Sequence, residues 1–532
     1  MIEIILPKIP ERERTPLVDM LLQLLEQSLV QNQKLSEEVA LLKSEIARLK
    51  KQPGKPKIKP SKMDKDDDSK GSKGDGGKRP GSSKKSKKGK IKIHETKVIK
   101  VNDIPDGAVF KGYRDYDVQD IEINLKNTRY RLEWWQLPDG KYVTAELPES
   151  IRGYHFGPTL KSYALQQHHE QLVTQPLLLD QLRAYGVDIS TGELDRILND
   201  DKNIFHEEKS DILQTGITNS KYIQVDDTGA RHKGKNGYCT QIGNEFFTYF
   251  ASRRYKSRIN FLELLRAGHE DYVFNAAAIE YVRQQRLSET WLDKLLQSEK
   301  IWSNKNEWEV YLKEIGLKDK RYIQMLTEGT LLGSIKEHGF MDDITILSDD
   351  AGQFNILLHA LCWIHAERAI TRLIPSCDLY KEAMEQVLDE FWKIYRRLKR
   401  YKISPTKKRK QMIEKLFDEL CAKKTDWITL NNALMRLKNN KSELLLVLER
   451  PEIPLHNNLS ENDIRIYVKK RKISAGTRSD VGRDSRDTFT SLKKTCKKLG
   501  ICFWEYLNDR ICKTNSIPRL GSLVQQAILD DG

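Results

Sequence analysis

Apolar and polar positions divide the chain into stretches of different period, and each period implies an element. After Thr15 and Pro16, the residues Val18, Leu21, Leu25, Ser28, Asn32, Leu35, Val39, Leu42, Ile46 and Leu49 follow alternating spacings of three and four. These are the a and d positions of a coiled coil, and Asn32 at an a position favours a parallel dimer, because a buried amide prefers its twin across the axis. A dimerisation helix is therefore expected over residues 15–50. The pattern then lapses into a segment of Gly, Ser, Pro and Lys, GSKGDGGKRPGSSKKSKKGK within residues 51–100, which predicts a disordered linker. Alternation returns in AVFKGYRDYDVQDIEINLKNTRYRLEWWQLPDGKYVTAELP. A β-meander with a turn at Pro138, Asp139 and Gly140 is expected over residues 101–150, with Trp134 and Trp135 filling its buried face. Residues 155–215 read as helical. Within them LLLDQLRAYG, VDIS and TGELDRILND suggest a helix, a turn at Gly186 and a second helix capped by Ser190, as in a helix-turn-helix. Glu193, Asp195 and Asp200 outnumber Arg196 there, so a packing unit and a DNA reader both stand as readings.

Beyond residue 220 the pattern places acids. Tyr222 to Val225 and Ile344 to Leu347 are short runs that read as buried strands, followed by Asp226 and Asp227 and, after Ser348, by Asp349 and Asp350. Turn-favouring Gly229 and Gly352 come soon after. GYCTQIGNEFFTYFASRRYKSR supplies two further strands, completing a three-stranded antiparallel unit over about 221–253. His456, Asn457, Asn458 and Ser460 are cap candidates ahead of Ile464, Tyr467 and Val468, which puts Glu461 in the first turns of a helix. Two strand ends and one helix start can aim Asp226, Asp349 and Glu461 at a common point. Carboxylates that close resist full ionisation unless a cation lies between them, and Mg²⁺ (or Mn²⁺) suits all-oxygen ligands shared with phosphate. Taken singly, an Asp after a strand is as readily a turn former. Helical periodicity fills residues 259–340 and 366–450, read as insertions into one catalytic fold.

Charge bears on the partner. The chain of 532 residues carries a net +15, and residues 50–100 hold 19 Lys and Arg against 6 Asp and Glu, a net +13. The excess suits a polyanion, and it equally suits a solubilising tether. Seven cysteines without a C-x-x-C pair indicate neither a disulfide framework nor a zinc finger. No run of 18 apolar residues occurs and MIEIILPKIPERER lacks a signal-peptide layout, so no membrane partner and a cytoplasmic location are expected.

Three blocks, VDDTGARHKGKNGYCTQIGN, LSDDAGQFN with LCWIHAER, and NNLSENDIRIYVKKRKISAG, resemble those of the insertion sequence 66 family of transposases over roughly residues 155–510. The resemblance implies a ribonuclease-H-like α/β catalytic domain over 220–510 and a DDE-type triad of Asp226, Asp349 and Glu461 that binds the metal, in a bacterial protein associated with the nucleoid when on DNA. The second member of each Asp pair varies in that family, which leaves Asp227 and Asp350 outside the triad. The chain departs from many members in lacking their cysteine-rich segment after the linker. The expected whole is a multidomain α+β protein, with residues 511–532 as a C-terminal tail. Its expected partners are double-stranded DNA, a second copy or higher oligomer through the coiled coil, and small accessory proteins of the same element.

Candidate DNA contacts are Arg253, Arg254, Lys256 and Arg258 at the exit of the antiparallel unit, and Arg465, Lys469, Lys470, Arg471 and Lys472 on the Glu461 helix. By resemblance, His365 and Arg368 face the active site or the DNA; a Cys362 and His365 zinc pair has no second pair to complete it. Two alternatives to a strand-joining enzyme are a DNA-binding relic or regulator of such an element, and a structure-selective nuclease of similar fold.

Overall fold

The computed structural model describes residues 18, 92–100, 102–103, 106–148, 151–153, 155–297, 300–339 and 344–531. The coiled-coil expectation, Val18 apart, and most of the linker expectation lie outside them. The chain divides into two units, residues 1–119 and 120–532. In the first, Val18 is helical, and the described residues from 92 onward form no helix or strand.

The second unit opens with a hairpin of β1 (Trp134–Gln136) and β2 (Tyr142–Thr144). Its turn falls where Pro138, Asp139 and Gly140 predict it, with Gly140 at φ +83° and its amide bonded to Leu137 O. Among the described residues this hairpin is all that forms of the expected meander. Trp134 and Trp135 are 67% and 64% exposed, so they do not fill a core. Strands of three residues bring no second layer to cover them, and Trp134 stacks instead on Tyr142.

A helical unit follows: α1 (Pro158–Leu165), a π-turn at Gln166–Glu170, α2 (Gln175–Ala184), α3 (Thr191–Asn199) and α4 (Asn203–Asn219). Gly186 makes the turn at φ +87°, and Ser190 caps α3 in a reciprocal box with Glu193, as the local sequence demands.

The central sheet comprises β3 (Tyr222–His232), β4 (Lys235–Gly243) and β5 (Thr248–Arg253). The chain then makes α5 (Arg258–Leu265), β6 (Tyr272–Val273), α6 (Ala276–Gln284), α7 (Glu289–Leu296), β7 (Ile301–Trp302), α8 (Lys305–Glu314) and α9 (Lys320–Glu337). It returns to the sheet as β8 (Thr345–Ser348) and β9 (Leu358–Leu361). The strand order is β5-β4-β3-β8-β9, antiparallel among the first three and parallel from β3 to β9. Ile223, Val225, Ile242 and Ile346 of this sheet are buried in one core with Leu262, Leu265, Phe489 and Leu492.

Helices α10 (Trp363–Thr371), α11 (Asp378–Ile403), α12 (Lys407–Ala422), α13 (Ile428–Asn439) and α14 (Lys441–Leu444) form the insertion after β9. They close over Trp363, whose ring lies 4.9 Å from Phe391 and 6.0 Å from Phe417. The chain ends with α15 (Asn458–Ser474), α16 (Asp480–Lys498), α17 (Phe503–Cys512) and α18 (Leu520–Asp530). Buried Asp463 of α15 accepts from Thr248 Oγ1 at 2.7 Å and Lys498 Nζ at 2.6 Å, tying α15 to the sheet and to α16.

Candidate active site

Backbone register brings the two aspartates together. β3 and β8 run parallel with Gln224 opposite Leu347, and two residues further along each chain stand Asp226 and Asp349. Asp349 lies just past the end of β8, as expected from its apolar run. Asp226 does not end its strand. β3 continues to His232 because residues 227–232 pair with β4, and the turn comes at Lys233 and Gly234 (φ +47° and +74°) rather than at Gly229.

The third acid is seated by side chains on the same sheet face. Gln224 and Asp226 share a face of β3, and Gln241 stands directly opposite Asp226 on β4. Gln224 Oε1 accepts from the Ser460 amide at 3.4 Å, and Gln241 Oε1 accepts from the Ser460 hydroxyl. The first turn of α15 therefore rests on the face that carries Asp226, with Glu461 beside Ser460. Burial pushes the Asp226 carboxyl up from 3.8 to about 7, with the charges of Asp349, Glu461 and Asp227 pushing the same way. Against them works a hydrogen bond that the carboxylate accepts from the adjacent Asp227 amide, at 2.8 Å. The three acids offer only carboxylate oxygen donors, the chemistry that a hard divalent cation takes.

The neighbouring acids are occupied elsewhere. Asp227 accepts from Thr240 Oγ1 and from Gln353 Nε2 at 2.9 Å, with Lys256 Nζ 4.0 Å away. Burial raises its carboxyl, opposed first by the Thr240 bond. Asp350 turns to Arg436 of α13, whose Nε donates at 2.8 Å.

Glu461 meets two side chains from α10. Arg368 NH1 donates to its Oε1 at 3.2 Å and to His365 Nε2 at 3.1 Å, and His365 Nε2 lies 3.5 Å from the same carboxylate oxygen. An imidazole that accepts at Nε2 carries its proton on Nδ1, which is buried without a hydrogen-bond partner among the described residues. Burial lowers the His365 pKa, against the raising charge of Glu461. The α10 start is held by Trp363, whose amide donates to Leu455 O and whose indole donates to Leu444 O.

Other candidates are placed as follows. Arg465 is exposed 3.6 Å from Glu461, while Lys469, Lys472, Arg253, Arg254 and Lys256 lie on the surface. Lys470 is a correction: it is 4% exposed and its ammonium donates to His168 O at 2.6 Å, capping the π-turn of the helical unit, so it is turned away from any DNA. Lys470 shares the inward face of α15 with buried Asp463 and Tyr467, the three recurring at i, i+4 and i+7, which a count of basic residues does not reveal. Arg471 reaches Gly229 O on β3, and Arg258 donates to Tyr281 Oη at 3.0 Å and Gly352 O at 2.7 Å, bracing the loop after Asp349.

One constellation escaped sequence reasoning. Ser348, the residue before Asp349, hydrogen-bonds His359 Nε2 at 2.8 Å, and His359 Nδ1 pairs with Glu443 Oε1 at 2.7 Å. The order matches a nucleophile, base and orienting acid, but Ser348 is 0% exposed and no substrate can reach its hydroxyl. Its geometry instead ties α14 through β9 to the end of β8. The two links span 11 and 84 residues, and LHAL carries no local mark of them.

A second cluster, His269, Asp271 and His338, gathers possible ligand atoms within 4.8 Å of one another. The two imidazoles are stacked at 3.5 Å and 18°, so their in-plane lone pairs do not converge on one ion. Asp271 accepts from Ser334 Oγ at 2.7 Å and pairs with His338 Nε2 at 3.0 Å. The arrangement is that of a polar staple between α9 and the start of β6.

Residues 340–485 match a protein family described as "Transposase IS66 family". The chain is also 44% identical over 303 residues to the uncharacterised protein y4jO of Sinorhizobium fredii (strain NBRC 101917 / NGR234), a match covering 56% of this chain and 94% of that protein. No helix among the described residues is long and apolar enough to cross a membrane.

Proposed function

The chain belongs to the IS66 family of transposases, and on that premise we propose that it cuts at the ends of a mobile element and joins the freed 3′ hydroxyl to target DNA. One observation carries the reading: Asp226 on β3 and Asp349 just past the end of the adjacent parallel strand β8 stand two residues beyond paired Gln224 and Leu347, beside the helix turn that holds Glu461. A mixed sheet with acids on its first and fourth strands also supports a ribonuclease-H-like fold for the catalytic part.

In this reading Asp226, Asp349 and Glu461 hold Mg²⁺ or Mn²⁺, which when bound stabilises charge at the phosphorus and activates the attacking oxygen. Attack by water breaks the bond between phosphorus and the 3′ oxygen at the element end. The freed 3′ hydroxyl then attacks a target phosphorus in line, expelling the target's own 3′ oxygen. Arg368 orients the Glu461 carboxylate, and its remaining guanidinium donors suit a phosphate oxygen. His365 accepts from that same arginine and helps to hold it against Glu461. Lys469, Lys472, Arg465, Arg253, Arg254 and Lys256 supply phosphate contacts on the surrounding surface. Dimerisation through residues 15–50 serves to pair two ends, and small accessory proteins complete the partners.

The test uses the full chain, Mg²⁺ and end DNA. Asp226→Asn, Asp349→Asn and Glu461→Gln each abolish joining while end binding persists. Full joining by any one of them removes that residue from the site.

A further inference from the structure

Residues 393–410, the tip of the α11–α12 hairpin, form the densest run of positive charge of that length among the described residues, and the catalytic chemistry does not use it. Residues 393–410 hold ten Lys and Arg, no Asp or Glu and no Asn or Gln. On α11 the exposed residues Lys393, Arg396, Arg397 and Arg400 recur at i, i+3, i+4 and i+7. Ile394, Leu398 and Tyr401 occupy the buried side. At 1.5 Å per residue the stripe is about 10.5 Å long, the span of about three nucleotides at 3.4 Å each. Lys407 and Lys408 extend it as the exposed start of α12.

The tip is firmly placed. Tyr401 Oη donates to Leu448 O at 2.7 Å, Lys402 Nζ donates to Ile453 O, and Lys410 pairs with Glu449. All three bonds grip the segment that leads into the Glu461 helix, so the charged stripe has a defined position relative to the acids.

We propose that this hairpin is a sequence-independent docking surface for the phosphate backbone of target duplex DNA. The proposal rests on the transposase reading for the word target. The guanidinium and ammonium groups of residues 393–410 outnumber Glu390 and Glu419 in the same cleft and attract any duplex through its phosphates, and Gln411 is the carboxamide beside them. Such attraction is the property a surface needs to accept target DNA of varied sequence, whereas an element end has one fixed sequence.

The experiment neutralises Arg396, Arg400, Lys407 and Lys408 to Gln together in the full chain. A control variant neutralises Lys313, Lys318, Lys320 and Arg321, which are equally exposed and remove the same charge. Binding of a random-sequence duplex is measured by fluorescence anisotropy from 50 to 200 mM KCl, and joining is measured against target concentration. The slope of log affinity against log salt becomes shallower by about 3.6, four contacts at about 0.9 each, only in the hairpin variant. Half-saturation for target DNA rises at least tenfold, while cleavage of element ends is unchanged. A slope change below one, or one equal to the control's, overturns the proposal. An equal loss of end cleavage assigns the hairpin to the ends and overturns the target assignment. If the wild-type chain joins nothing, the transposase reading fails, whereas the slope comparison still decides whether the hairpin binds DNA.

Discussion

Replacing His359 by Phe isolates the link between α14 and the end of β8. The substitution keeps a flat ring of similar volume, so the cavity contribution is small. It removes one of two partners of the wholly buried Ser348 hydroxyl, which still donates to Asp349 O, a cost of about 0.5–1.5 kcal/mol. Glu443 loses a charge-assisted bond of 2.7 Å worth about 1.5–3 kcal/mol when buried, but its side chain is 18% exposed and water recovers part of that. The expected loss is about 1–3 kcal/mol of unfolding free energy. Urea unfolding followed by tryptophan fluorescence measures it for His359→Phe, Glu443→Gln and the double variant. Because one change removes and the other weakens the same bond, the double variant loses less than the sum, by about 0.5–1 kcal/mol. Joining falls in His359→Phe at temperatures where circular dichroism shows the chain folded, because Asp349 follows directly on Ser348. Stability within about 0.5 kcal/mol of wild type, or strictly additive losses, refutes the buried-relay argument.

Arg368→Ala removes a guanidinium from Glu461 and lowers the joining rate by about 10²-fold with end affinity nearly unchanged, and an equal loss of end affinity would mark the residue as a simple DNA contact. Lys470 is pushed down to about 7, chiefly by burial, while the unfolded chain keeps it near 10.5. Between those pH values the unfolded state holds more protons, so stability rises with pH from about 7 toward 10. Lys470→Met flattens that rise by up to about 1.4 kcal/mol per pH unit, and parallel pH profiles for the two proteins sink the prediction. Gly333→Ala sets a methyl 2.0 Å from Val273 O, and the rigid backbone there makes a loss of at least about 2 kcal/mol the expected result of chemical denaturation; an unchanged midpoint contradicts it.

What the sequence determined by itself was local. Apolar runs specified β3 and β8, Ser190 and Glu193 started α3, Gly140 and Gly186 made their turns, and Glu461 fell in a first helical turn. These follow from interactions within a few residues, which the order of side chains encodes directly. Tertiary structure alone decided that Asp226 lies in mid-strand, that Lys470 faces inward, that Trp134 and Trp135 remain exposed, and that Ser348, His359 and Glu443 form one chain of hydrogen bonds. It also decided which acids are engaged elsewhere, through Arg436 for Asp350 and through Thr240 and Gln353 for Asp227. A residue's pattern reports how deeply its face is buried, whereas its partner depends on how helices and strands tens or hundreds of residues apart are packed. The placement of Asp226 and Asp349 needs both: the runs that make the strands and the parallel register that aligns them.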